Sequence, residues 1–150
     1  ANGQIVQADA AVFHRERLAS APQDFGDDVR RRLEAGAALS STDYILARRM
    51  QDKISHWFGK FFEEYSILVL PTTPIPAPLI DGTDSVEQAR RLTRFTAPFN
   101  LAGLPALTLP FEFTRQGLPI GLQIVSGAWM DALVLRAGYA LQREVQEFAK

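Results

Sequence analysis

Thr96 and Asn100 are polar residues in an otherwise apolar stretch, Phe95-Thr96-Ala97-Pro98-Phe99-Asn100-Leu101-Ala102-Gly103-Leu104-Pro105. A carboxamide there offers donors and an acceptor to a ligand. The residues alone favour a plainer role, with Asn100 satisfying loop backbone groups near Gly103-Leu104-Pro105. Other chemistry-bearing side chains are scattered. His14 and His56 are the only histidines, and neither has a companion at i+3 or i+4 that would make a metal face. A metal site needs several convergent ligands, so none is expected. No Gly-x-Ser-x-Gly elbow occurs, and Ser126-Gly127 lacks the preceding glycine. A Ser-His-Asp triad is left open, because its members meet only in space. The phosphate-cradling glycine motifs are absent. Glu63 and Glu64 adjoin on a helix, point in different directions and read as exposed acids.

The balance of the chain limits its partners. Sixteen Lys+Arg against 17 Asp+Glu give a net charge of -1 over 150 residues, which leaves no electrostatic footprint for nucleic acid. Arg30-Arg31-Arg32 is flanked by Asp27-Asp28 and Glu34 and reads as a solvated helix face. Apolar runs fall short of the ~20 residues of a membrane helix, and no signal peptide is evident. The absence of cysteine removes disulfides and fits a reducing, cytoplasmic setting. The start at Ala1-Asn2-Gly3 hints at a fragment.

The elements that would carry these residues follow from periodicity. Helices are expected over 8–18 and 24–35, the second with an acidic first turn suited to the helix dipole and Gly36 as a left-handed stop. Ser40 and Asp43 have the spacing of a capping box. Beyond them Ile45/Leu46, Met50, Ile54, Trp57/Phe58, Phe61 and Tyr65 recur with helical period over roughly six turns. Residues 67–70 form a continuous apolar run, read as a strand covered on both faces, as in a parallel sheet. Pro71, Pro74, Pro76 and Pro78 impose an extended connection. Short helices are expected over 86–93 and 98–102, then strands over 106–113 and 119–126 joined by a glycine-containing hairpin. A last helix begins near Asp131, with Asp131 as its cap.

The quoted segments, in order, resemble the amidase signature family. They are Asp24 to Gly36, Ser41 to Ala47, Leu70-Pro71-Thr72-Thr73-Pro74-Ile75-Pro76-Ala77-Pro78, Phe95 to Pro110, and Gly117 to Val125. The resemblance covers nearly the whole chain. It implies an α/β fold: residues 1–150 as the carboxy-terminal portion of a mixed-sheet amidase signature domain, about three strands with flanking helices.

It also implies acyl transfer by a Ser–cis-Ser–Lys triad, the serine attacking the amide carbonyl and backbone N–H groups holding the oxyanion. The Gly-Gly-Ser-Ser-Gly type signature is not in these residues, so no catalytic residue is assigned, and the isolated chain is expected to be inactive. No cofactor is implied. The resemblance places the helix over 86–95 and the proline-rich loop at the pocket wall, which makes Thr93, Thr96 and Asn100 the substrate-binding candidates for a small-molecule amide. Departures from the family pattern fall at Glu112, where glycine is common, at Tyr65-Ser66, where an aspartate often stands, and at Ser126-Gly127-Ala128-Trp129-Met130, in place of a Gly-Arg-Pro type loop.

Three functions are compatible with this reading. They are part of an amide hydrolase, part of the amidase component of an aminoacyl-tRNA amidotransferase, and a non-catalytic interaction module. No nucleic-acid or membrane binding is expected of this region. Self-association of the fragment is expected, through open sheet edges or exchanged helices, with the stripe Trp57, Phe58, Phe61, Phe62 as the exposed surface.

Overall fold

The computed structural model describes residues 1–79 and 85–148 and divides into two compact units, 1–53 and 54–150. The first unit is helical. It holds α1 (Asn2–Phe13), α2 (Arg15–Ser20), a 3-10 turn (Pro22–Asp24), α3 (Asp27–Ala37) and the start of α4 (Ser41–Glu64). The helix expected over 8–18 begins earlier and is split at His14, whose φ of -94° and ψ of 7° leave the helical region. Buried Ile5, Ala11, Leu33 and Ala47 form its apolar interior.

Gly36 is not the left-handed stop. It is buried within α3, where a Cβ would overlap the Gln7 carbonyl of α1 and lie 3.2 Å from the Ala11 Cβ. Close helix packing, not a chain reversal, requires glycine there. Ser40 caps α4, but the Asp43 carboxylate meets the Ser40 hydroxyl rather than its backbone N–H, so the reciprocal half of the box is not formed. The Ser40 hydroxyl accepts from the Asp43 N–H at 3.0 Å and donates to the Asp43 carboxylate at 2.6 Å.

The second unit contains the end of α4, β1 (Leu68–Pro71), α5 (Ser85–Leu92), α6 (Ala97–Ala102), β2 (Ala106–Phe113), β3 (Pro119–Val125) and α7 (Asp131–Phe148). The sheet order is β1-β3-β2, and both pairings are antiparallel. The run over 67–70 is therefore not a parallel, doubly covered strand. Leu68 and Leu70 are half-buried, whereas Val69 is 50% exposed, the alternation of a strand covered mainly on one side. Asp131 opens α7 as its first helical residue rather than its cap, where its charge suits the helix dipole.

Strand alternation and the register give the sheet two distinct faces. One carries Leu68, Leu70, Thr108, Gly121, Gln123 and Val125. On it Phe58 of α4, Phe99 of α6 and Val125 form a buried core, packed by Ile54, Phe62, Ala102 and Leu104. The other face carries Leu107, Leu109, Leu122 and Ile124, against which α7 lies. A Cβ on Gly138 would overlap the end of the Leu107 side chain, so α7 and β2 pack closely at this glycine.

The two Gly-Leu-Pro turns have different jobs. Gly103, at φ 68°, ends α6 in a Schellman closure: Leu104 N donates to Phe99 O at 3.0 Å and Gly103 N to Asn100 O at 3.2 Å. Gly117, at φ 79°, turns the β2–β3 hairpin, with its N–H donating to Thr114 O at 2.9 Å.

Candidate functional site

The second unit gathers polar groups on its α4/α6 face. Thr72, just past β1, donates its N–H to Gly121 O at 2.8 Å, and its hydroxyl donates to the Thr108 hydroxyl at 3.3 Å. The hydroxyls cross above Gly121, where a Cβ would come within 2.8 Å of Thr72 Oγ1 and 3.0 Å of Thr108 Cγ2. Beside them Gln123 is 1% exposed. Its Nε2 donates to Phe95 O at 3.0 Å and to Pro71 O at 3.3 Å. A buried amide left unpaired costs about 1–3 kcal/mol, and these two carbonyls meet that need for its donors.

Phe95 lies in the turn that joins α5 to α6, which also holds Thr93 and Thr96, while Asn100 follows in α6. Thr93 O accepts from Thr96 N at 3.1 Å, Ala97 N at 2.8 Å and the Thr96 hydroxyl at 3.3 Å. Thr96 O accepts from Asn100 N at 3.1 Å. The Thr93 hydroxyl donates to Ala89 O at 2.7 Å. Thr93 and Asn100 are exposed and Thr96 is half-buried. With their protons engaged, both threonine hydroxyls retain only acceptor capacity. It is the Asn100 backbone carbonyl that holds Gly103 in the loop. Its side chain makes no hydrogen bond among the described residues.

The remaining reactive side chains are accounted for structurally. His14 meets Phe13 and Phe25 edge-on, with ring centroids 4.8 and 5.5 Å apart. His56 is exposed. Ser126 is 1% exposed and donates its hydroxyl to Ser66 O at 2.7 Å, a link between the ends of two strands rather than a poised nucleophile. Among the described residues no three His, Cys, Asp or Glu side chains converge to hold a metal, and no helix is long and apolar enough to cross a membrane.

A shallow cavity of about 140 Å³ lies between the proline-rich loop (Thr73 to Pro76) and Pro119-Ile120. In the first unit, a groove of about 650 Å³ runs past Asp9, Arg15 and Tyr44, where the Tyr44 hydroxyl donates to Asp9 at 3.1 Å. Neither includes Thr93, Thr96 or Asn100.

Sequence reasoning passed over Gln123, Thr72 and Thr108. The signal for Gln123 was present: a lone carboxamide inside Leu122-Gln123-Ile124-Val125, a run otherwise fit only for the interior.

An antiparallel sheet layered between helices, with a polar turn anchored to its central strand, matches a known scaffold. The Amidase family profile matches residues 3–135, and the chain belongs to this family. It is 34% identical over 122 residues to a fatty acid amide hydrolase of Medicago truncatula, covering 77% of this chain and 20% of that protein. It is 42% identical over 124 residues to a component of the glutamyl-tRNA(Gln) amidotransferase of Synechococcus sp. (strain JA-2-3B'a(2-13)), covering 79% and 24% respectively. A crystal structure described as an amidase superposes with a TM-score of 0.84 at 32% identity, over 95% of this chain and 34% of that one. The chain thus spans about a fifth to a quarter of the length of these curated relatives.

Proposed function

We propose that residues 1–150 are the carboxy-terminal share of an amide hydrolase of the amidase signature type, acting in the cytoplasm on a small-molecule carboxamide. In this reading the Ser–cis-Ser–Lys triad comes from segments preceding these residues. A serine attacks the amide carbonyl, the amine leaves with a proton delivered through the second serine and the lysine, and water releases the acyl group. Residues 93–100 supply part of the pocket wall. Acceptor hydroxyls of Thr93 and Thr96 and the uncommitted carboxamide of Asn100 meet the polar parts of the amide substrate.

The observation that carries the reading is the close match of the described fold to an amidase structure, together with the exposed side chains of Thr93 and Asn100. A second reading, the amidase component of an aminoacyl-tRNA amidotransferase, draws on the 42% identity to such a component. The test is to supply the complete protein with simple amides and no partner protein. Release of free ammonia or amine supports the hydrolase. Turnover only in the presence of partner proteins and acyl-tRNA supports the second reading.

A further inference from the structure

We propose that Gln123 is a positioning residue that fixes the two pocket-wall segments, the turn over 93–100 and the start of the proline-rich loop, to the central strand and to each other. The proposal rests on the reading of that turn as a substrate wall.

Three observations carry it. First, Gln123 is 1% exposed on the middle strand of the sheet, where an apolar side chain would serve packing at least as well. Second, its Nε2 has two hydrogens and two carbonyl acceptors on different segments, Phe95 O at 3.0 Å and Pro71 O at 3.3 Å. Pro71 ends β1 and opens the proline-rich loop, and Phe95 lies between Thr93 and Thr96. Third, the segment over 93–100 lies outside the sheet, so strand pairing does not fix its distance from the start of the proline-rich loop, which the bond from Thr72 N–H to Gly121 O ties to β3. One rigid carboxamide fixes that distance by donating to both.

Geometry of this kind acts on selectivity more than on folding. A displacement of about 1 Å in a positioned group changes rates steeply, whereas the core of Phe58, Phe99 and Val125 is packed without the carboxamide.

The test uses the complete protein with Gln123→Met, which keeps side-chain length but has no donor, and Gln123→Glu, which turns carboxylate oxygens toward the two carbonyls. Val134→Ala, a cavity variant in the α7 layer, serves as the comparator. Two quantities are read: amide hydrogen exchange over 93–103, and the ratio of kcat/KM between a compact and a bulky amide. The proposal predicts exchange at least tenfold faster at the Thr96, Ala97 and Asn100 amides in both Gln123 variants. It also predicts a ratio altered at least threefold, with both quantities near wild type in Val134→Ala.

Unchanged local exchange in the Gln123 variants overturns the proposal. So does an equal change of ratio in Val134→Ala, because that would be general loosening. Faster local exchange with an unchanged ratio upholds the positioning but overturns the assignment of the turn to the substrate wall. Should both variants fail to fold, selective 15N labelling of glutamine in the wild-type protein decides instead. Gln123 carboxamide protons must exchange far more slowly than those of exposed Gln116, and equal rates overturn the clamp.

Discussion

Thr93→Ala and Asn100→Ala remove side chains that are exposed and add little to the core. Surface changes of this kind move stability by within about 0.5 kcal/mol. Both variants should therefore melt near wild type while changing kcat/KM between amide substrates by at least threefold in the complete protein. An equal loss for every substrate that tracks a lower melting temperature would assign these residues to structure instead. Trp129 makes a different residue-scale case. It is the one non-glycine residue with positive φ among those described, at 66°, and its side chain is 93% exposed. A left-handed conformation costs an L-residue about 1–2 kcal/mol, and glycine avoids that cost but loses more chain entropy on folding. Trp129→Gly is expected to stabilise the protein by up to about 1 kcal/mol, read as a higher denaturant midpoint with an unchanged slope. A drop in the midpoint would mean that the indole makes a stabilising contact.

Elements were legible wherever the signal was local. The Ser40 cap on the Asp43 N–H, the long α4 and the glycine hairpin at Gly117 follow from spacing and turn chemistry, and the structure has all three. Pairing direction was not legible for β1, because an uninterrupted apolar run reads the same for a doubly covered parallel strand and for a short antiparallel one. The role of Gly36 was hidden for a related reason: a glycine after a basic, helical stretch looks like a stop unless its neighbour in space is known. That neighbour is the Gln7 carbonyl. Gly36→Ala must push α1 away from α3 and should destabilise the first unit by about 1–3 kcal/mol, although alanine is the better helix former. A thermal scan would register this as a lower transition, and a stabilised protein would refute the packing argument. Thr96 and Asn100 were found because they are polar in an apolar run. Gln123 carried the same signal and was passed over; its role was not legible, because its partners lie 28 and 52 residues away and only folding brings them within reach.

At the scale of the whole molecule, the distribution of apolar surface matters most. The aromatic stripe of α4 is not uniformly exposed. Phe58 lies in the core at 7% exposure, and Phe61 and Phe62 are half-buried. Trp57 remains 59% exposed, stacked on Phe61 with centroids 5.5 Å apart, and Ile45, Leu46 and Met50 of the same helix are each about half exposed. Both β1 and β2 are edge strands, and open edges invite pairing with another chain. We therefore expect the isolated 150-residue chain to self-associate at micromolar concentration. Light scattering that gave a stable 16.7 kDa species with cooperative unfolding would contradict this. If these residues form the pocket wall of an amide hydrolase whose nucleophile lies outside them, a serine-directed fluorophosphonate probe on the complete protein, followed by peptide mapping, will reveal it. A single labelled serine outside residues 1–150 is expected, with no adduct on Ser126 or any other serine within them. An adduct on a serine of this segment would contradict the assignment.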